Sequence, residues 1–258
     1  MKNSWKSLQE LSMSLCNAVT GVVHSIESLA GVDGDGLRCA VFLAGCPLRC
    51  IYCHNPDTWK KRGKEYTAEE LVKKICRFKP YFSPCGGATF SGGEPLLQAD
   101  FLLECAFLLE KENVSFVLDT SGSVALSPSV LAVTEKSEGV LLDLKFWDDA
   151  SYEKYTGVSI EKTLDYLRFL DSIGKKTVLR TVIVPGINDT PEILDGYLRL
   201  IDGFHCIKRY ELLSFHTLGF HKYETLGITN PLAEKKACTQ EKKEKLQLYI
   251  DKKRKANA

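Results

Sequence analysis

Between residues 39 and 212 the sequence alternates short apolar runs with longer amphipathic ones, about six times over. That rhythm leaves few folds open. Strand, helix and strand repeated in this way imply parallel pairing with right-handed crossovers. Strands are expected at 39–44, 88–91, 115–120, 139–144, 177–184 and 206–212, with an earlier run, 21–28, as an added edge strand. Helices are expected at 99–111, 127–135, 160–173, 191–201 and roughly 239–253. Thr67-Ala-Glu-Glu70 is a capping-box signature ahead of Leu71, Val72 and Ile75. Six units fall short of the eight that close a barrel, so the expected fold is α/β, an open or partial (β/α)6 barrel. Residues 1–20 carry Trp5, Leu8, Leu11 and Leu15 at loose helical spacing and read as an N-terminal extension to one domain over 21–258.

Composition sets outer bounds. With 258 residues, 44% hydrophobic and 26% charged, the chain is expected to be soluble and globular with a sizeable core. A formal net charge of +1 gives no field for gathering nucleic acid. No apolar run is long enough to span a bilayer, and the N-terminus lacks the order of a secretory signal. The ten cysteines are scattered through a long chain, which points to a reducing cytoplasm rather than to disulfides. Cys16, Cys39, Cys76, Cys85, Cys105, Cys206 and Cys238 read by default as small buried hydrophobes. The lysine-rich stretch 241–255 reads as a solvated helix face.

Three cysteines stand apart, in Gly-Cys46-Pro-Leu-Arg-Cys50-Ile-Tyr-Cys53-His-Asn-Pro. Three thiolates on one short loop can hold three corners of a cubic iron–sulfur cluster and leave the fourth iron open. Four-cysteine ligation is the rule for clusters that only carry electrons. An open metal position is where a small molecule can bind and react. Cys50-Ile-Tyr-Cys53 is also a C-x-x-C, the pattern of a redox pair or half a zinc site. No second ligand pair follows at zinc spacing, and Pro47, Asn55 and Pro56 mark an extended loop rather than a helix start. The spacing favours the cluster and leaves the other readings open.

In barrels of this kind active residues gather where strands run into the following loops. The first expected strand leads into the cysteine loop, and the second ends in Ser91-Gly92-Gly93-Glu94-Pro95. Paired glycines let a ligand approach the backbone, though a tight turn accounts for them too. The next strands end at Asp119-Thr120 and Asp143-Leu144-Lys145, one carries Arg180 before Val184-Pro185-Gly186, and the last leads to His216. Burying so many polar groups at matching positions without a ligand would be costly.

Taken together these residues resemble the radical S-adenosylmethionine (SAM) superfamily and, within it, the pyruvate formate-lyase activating enzymes. The resemblance rests on the cysteine motif, Gly92-Gly93-Glu94, Val32-Asp33-Gly34-x-Gly36-Leu37-Arg38, Tyr52 to Trp59, Leu142 to Lys145, Val184-Pro185-Gly186 and His216-x-Leu218-Gly219. It runs from about residue 21 to the C-terminal helix. It implies that Cys46, Cys50 and Cys53 bind a 4Fe–4S cluster whose open iron chelates SAM. Gly92 and Gly93 would hold the SAM amino group, with Lys145 near its carboxylate or ribose and Asp143 and Leu144 beside it. Tyr52, Cys53 and His54 would form the adenine side, completed by His216, with Arg180 orienting the ligand or neutralising carboxylates. A monovalent cation would take Asp119, Thr120, Leu141 and Asp143, an oxygen set suited to a hard ion.

The implied reaction installs a radical on one glycine of a partner, pyruvate formate-lyase. Asp33, Gly34, Gly36 and Arg38 would hold that glycine loop, although a plain glycine-rich turn explains them nearly as well. A flavodoxin or ferredoxin-type donor would supply electrons, and the chain would work as a monomer. Two departures stand out: Asp35 replaces a usual proline, and Ser214-Phe215 a usual Pro-Tyr. Between Cys53 and Gly92 only Cys76 and Cys85 occur, so no cysteine-rich insert is present. The rival readings are activation of a different glycyl-radical enzyme, an electron-carrying iron–sulfur protein and a zinc module.

Overall fold

The structure, a computed structural model, describes residues 19–82 and 85–256. The helix expected over 1–20 lies outside the described residues, apart from its last two positions. Strands β1 (Thr20–Ala30), β2 (Arg38–Leu43), β3 (Lys64–Thr67), β4 (Gly87–Gly92), β5 (Phe116–Thr120), β6 (Gly139–Asp143), β7 (Thr177–Ile183) and β8 (Ile207–Ser214) form one sheet. Their order is β3-β1-β2-β4-β5-β6-β7-β8. From β2 through β8 every pairing is parallel, as the strand–helix alternation predicts. These strands are near-continuous apolar runs because both faces are covered.

Two strands depart from expectation. β1 was expected at the edge, yet it pairs antiparallel with β2 on one side and with β3 on the other. β3 is the edge, and it escapes a periodicity search because Tyr66 is its one buried residue. Thr67 ends β3 and caps the next helix, α1 (Ala68–Cys76), where the Thr67–Glu70 capping box forms as expected.

The remaining helices are α2 (Ala99–Lys111), α3 (Pro128–Lys136), α4 (Asp149–Thr156), α5 (Glu161–Ser172), α6 (Pro191–Leu200), α7 (Phe220–Leu226) and α8 (Gln240–Ala256). α2 lays Phe101, Leu102, Cys105, Ala106 and Leu109 onto the core. At about 1.5–3 kcal/mol for each large side chain, such faces supply most of the hold on the sheet. α4 and α7 have no counterpart in the sequence reading. α4 buries only Tyr152 and Thr156, and its bounds come from the Asp148 cap and left-handed Gly157 rather than from an apolar stripe.

Cys39, Cys105, Cys206 and Cys238 are buried as expected, whereas Cys76 is half-buried and Cys85 exposed. The loop 31–37 crosses the sheet's N-terminal end. Arg38, 1% exposed, pins it from inside: its guanidinium donates to Thr89 Oγ1 and to the carbonyls of Asp35, Cys85 and Ala88. Gly36 has φ +76°, and a Cβ there would lie 2.6 Å from the Gly86 nitrogen, so this turn requires glycine.

Candidate functional site

The cysteine loop leaves the C-terminal end of β2 and is braced on three sides. The carbonyls of Thr156 and Tyr155, at the end of α4, accept from the amides of Arg49 (2.7 Å) and Ile51 (3.0 Å). Tyr223 on α7 donates its hydroxyl to the Cys53 carbonyl at 3.0 Å. Lys222 donates to Asn55 Oδ1 at 2.7 Å and pairs with Asp57, which also meets His24 of β1 at 3.1 Å. This network explains the Asn55-Pro-Asp57 segment, a 3-10 turn that turns the chain back on itself. Its Thr58 carbonyl accepts from the Gly45 amide beside Cys46.

All three motif cysteines are free thiols lining a cavity of about 340 Å³. Burial pushes Cys46 and Cys50 up to about 12 and raises Cys53 too. Alone they stay protonated, so a metal must displace their protons. Among the described residues no three Cys, His, Asp or Glu side chains converge as one metal ion requires. A cluster takes one thiolate per iron, whereas a structural zinc ion takes four ligands. Among the described residues no fourth cysteine lines the cavity, so Cys46, Cys50 and Cys53 are a donor set that would hold a three-thiolate cluster.

Opposite the cysteines lies a charged floor. β7 sets Arg180 level with Asp143 on β6, and β5 sets Asp119 beside Leu141. Arg180 reaches both carboxylates, 2.9 Å to Asp143 Oδ1 and directly to Asp119. Asp143 Oδ2 takes Lys145 Nζ at 2.8 Å, and Asp119 Oδ2 takes the Ser91 hydroxyl at 2.7 Å. Burial works against every charge here. It outweighs Arg180 at Asp119, whose pKa is raised, but Arg180 and Lys145 overcome it at Asp143, which is lowered. Burial would also lower Lys145, but Asp143 holds its ammonium well above the ordinary lysine value. Arg180 thus neutralises carboxylates. All four carboxylate oxygens of Asp119 and Asp143 have donors.

Gly92 and Gly93 pack backbone to backbone against the start of the cysteine loop. A Cβ on Gly92 would meet Leu43 N at 2.3 Å, and one on Gly93 would meet Gly45 O at 2.2 Å. Gly93 already gives its amide to Leu43 O, so the oxygens are what this segment offers an ammonium. The following residue, Glu94, is fully buried and fastens β4's end to β5's. Its carboxylate accepts from Thr120 Oγ1 (2.5 Å), Ser121 N (2.9 Å), Ser121 Oγ (2.6 Å) and Leu96 N (3.1 Å). Burial keeps its pKa raised despite these donors. Its place in Gly-Gly-Glu was visible in the sequence; its structural partners were not.

On the side that the resemblance assigns to adenine, Tyr52, Cys53 and His54 line the cavity, whereas His216 does not; nor does Leu144 beside Lys145. His54 and His216 stack with centroids 3.6 Å apart, and Phe215 lies parallel beyond His54 at 6.5 Å. His54 Nε2 donates to the His216 carbonyl at 2.8 Å, which leaves Nδ1 as the bare acceptor. His216 Nδ1 and Tyr52 Oη are buried without partners among the described residues, as is Ser214 Oγ. Of these three, Tyr52 lines the cavity together with Gly92 and Gly93, where its hydroxyl is free for a ligand. Phe215 is fully buried and stacks where the usual tyrosine would stand.

Burial lowers His54 to about 4, against 6.5 when unfolded. The unfolded chain therefore binds the extra proton first, and stability falls as pH drops from about 6.5 towards 4. Discounted for partial exposure, the effect is on the order of 1–2 kcal/mol. Urea titrations of wild type and His54→Phe should diverge across this window, with the steeper acid loss in wild type. Parallel curves would refute the assignment.

Of the residues expected to hold a partner's glycine, Asp33 lines the cavity with Asp119 and Arg180. Burial, then the Asp119 charge, raise it to about 6. Arg38 faces inward and holds the loop, and Gly34 and Gly36 shape it. Asp35 is turned to the lower rim, where it pairs with Arg209 (3.0 Å) and Lys176 (3.3 Å). No helix among the described residues is long and apolar enough to cross a membrane.

Residues 41–195 match the Radical SAM superfamily family. The chain is 44% identical over 235 residues to a pyruvate formate-lyase-activating enzyme of Clostridium pasteurianum, covering 90% of this chain and 98% of that one. It is 37% identical to the enzyme of that name from Staphylococcus aureus (strain USA300), covering 90% and 95%. Among solved structures, Streptococcus suis SuiB bound to precursor peptide SuiA superposes with a TM-score of 0.61 at 16% identity. That likeness concerns the fold alone, and it covers 81% of this chain but only 44% of SuiB. With its three-thiol loop, its glycine-lined cavity and relatives matched over nearly their whole length, this chain belongs to the radical SAM superfamily.

Proposed function

We propose that this protein installs a glycyl radical on pyruvate formate-lyase, using SAM and a 4Fe–4S cluster. The carrying observation is the cavity that joins three cysteine thiols to a nucleoside-sized wall and a charge-balanced floor. When bound, the cluster supplies the electron that splits SAM and yields a 5′-deoxyadenosyl radical. The chain's own residues position and shield. Cys46, Cys50 and Cys53 hold the cluster; Gly92 and Gly93 present oxygens to the SAM amino group. Lys145 offers its ammonium to the SAM carboxylate, and Tyr52 and His54, with His216 stacked on His54, flank the adenosyl group; Leu144 is fully buried and supports the strand end from inside. Turning Lys145 towards SAM frees Asp143 Oδ2, which opens a place for a monovalent cation with Asp119, Thr120 and Leu141. Asp33, on the glycine-shaped loop, is placed to meet the partner's backbone. Enclosure matters because a primary carbon radical attacks whatever reaches it. A flavodoxin or ferredoxin-type donor, a cytoplasmic setting and action as a monomer complete the proposal.

The test is anaerobic reconstitution with iron and sulfide, reduction, and addition of SAM with pyruvate formate-lyase. Wild type should form 5′-deoxyadenosine and a glycine-centred paramagnetic signal. A Cys50→Ala variant that retained both outputs would end the proposal. Lys145→Ala should keep its iron while losing roughly tenfold or more in SAM affinity, the scale of a charge-assisted contact. Unchanged SAM binding would remove Lys145 from the pocket.

A further inference from the structure

Directly after Trp59 the chain runs Lys60-Lys61-Arg62-Gly63-Lys64, four cations in five residues of a protein whose net charge is only +1. All four are exposed, as is Arg49 on the cysteine loop itself. Among the described residues none of these five forms an ion pair. Some cations elsewhere on the surface are matched, Lys136 with Glu110, Lys176 and Arg209 with Asp35, Lys245 with Glu241, but here four unmatched ones fall within five residues. Like charges gathered without counter-charges repel, and they make a field that selects an oppositely charged partner.

The patch also adjoins the cysteine loop directly. Cys46 gives its amide to the Trp59 carbonyl at 3.3 Å, and its own carbonyl accepts from Arg49 Nη1 at 2.8 Å. The Arg49 guanidinium lies over the Trp59 ring, 5.0 Å from its centroid. Trp59 lines the cavity beside Cys46, and Arg49 and the cationic turn lie against Trp59 on the exposed surface. The cavity side is taken by the nucleoside wall and the partner's glycine in the function proposed above. An electron carrier must approach from outside.

We propose that Arg49, Lys60, Lys61, Arg62 and Lys64 form the docking surface for an acidic one-electron carrier protein, which reduces the cluster across the Trp59–Cys46 contact. In each docking event the carrier loses one electron and the cluster site gains it, with no bond made or broken. The inference rests on the function proposed above and deepens it by giving the reductant's side of entry and its charge. Attraction of this kind acts on encounter, so its signature is a rate that falls with salt.

The experiment uses the reconstituted holoenzyme and two reductants: flavodoxin hydroquinone, an acidic protein, and photoreduced deazariboflavin, a small molecule. Cluster bleaching is followed anaerobically by stopped flow for wild type and for Lys60→Glu, Lys61→Glu and Arg62→Glu combined. With flavodoxin the variant should be at least about tenfold slower at low salt and should lose the salt dependence seen in wild type. With deazariboflavin both proteins should bleach at the same rate and give the same 5′-deoxyadenosine. Equal flavodoxin rates with equal salt slopes overturn the inference. So does a variant that keeps its flavodoxin rate but captures pyruvate formate-lyase less well, since the surface would then serve the substrate protein. If the triple variant loses its cluster, Lys60→Glu and Lys61→Glu alone carry the test, each with a smaller loss in the same direction. Wild type that bleaches with flavodoxin but makes no 5′-deoxyadenosine with either reductant sinks the proposed function, and the salt slope still judges the docking surface.

Discussion

Replacing Arg180 with methionine should destabilise the protein by about 3–5 kcal/mol at neutral pH, because it leaves two buried carboxylates with Lys145 as their one remaining cation and Asp119 uncompensated. Arg180 meets both Asp119 and Asp143, and neither has a second cation other than Lys145 on Asp143. Burial already raises Asp119, and removal of the guanidinium raises it further. A carboxyl with a raised folded pKa weakens the fold above that pKa and not below it. The deficit relative to wild type should therefore narrow as pH is lowered from 7.5 to 5.5. Urea midpoints at the two pH values decide the matter. A deficit under about 1 kcal/mol, or one that widens in acid, would show that Arg180 is not the floor's counter-charge.

Glu94→Gln should be nearly as damaging, although it is almost isosteric. Four donors converge on the carboxylate, and a carboxamide turns one acceptor position into a donor facing hydroxyl or amide hydrogens. Unsatisfied buried groups of this kind cost on the order of 2–4 kcal/mol together. Because Glu94 ties the end of β4 to Thr120 and Ser121, SAM affinity should fall even at temperatures where the variant is folded. Thermal unfolding with and without SAM measures both effects. A variant that kept wild-type stability and a wild-type SAM-induced shift would leave Glu94 without a structural role.

What the sequence made legible was whatever is written locally. The cysteine spacing, the capping box at Thr67 and the six apolar runs each depend on neighbours a few residues apart, and each appears in the structure near its expected bounds. The polar residues at the strand ends were legible too, since Asp119, Asp143, Lys145 and Arg180 do converge. Their pairing was not, because register across β5, β6 and β7 decides which charge meets which. Arg38 looked available to a partner and is instead held by four acceptors within the fold. Lys222 carried no signal, since its partners Asn55 and Asp57 lie more than 160 residues away. α4 and α7 were invisible for a related reason: each buries little, yet each ends or begins against the cysteine loop and supports it.

That support has a consequence for how the protein is made. The metal-binding loop is complete only when His24, the α4 carbonyls, Lys222 and Tyr223 are all in place, and these span most of the chain. The cysteine loop therefore gains its full bracing only once residues as late as Lys222 and Tyr223 have been made and folded into place.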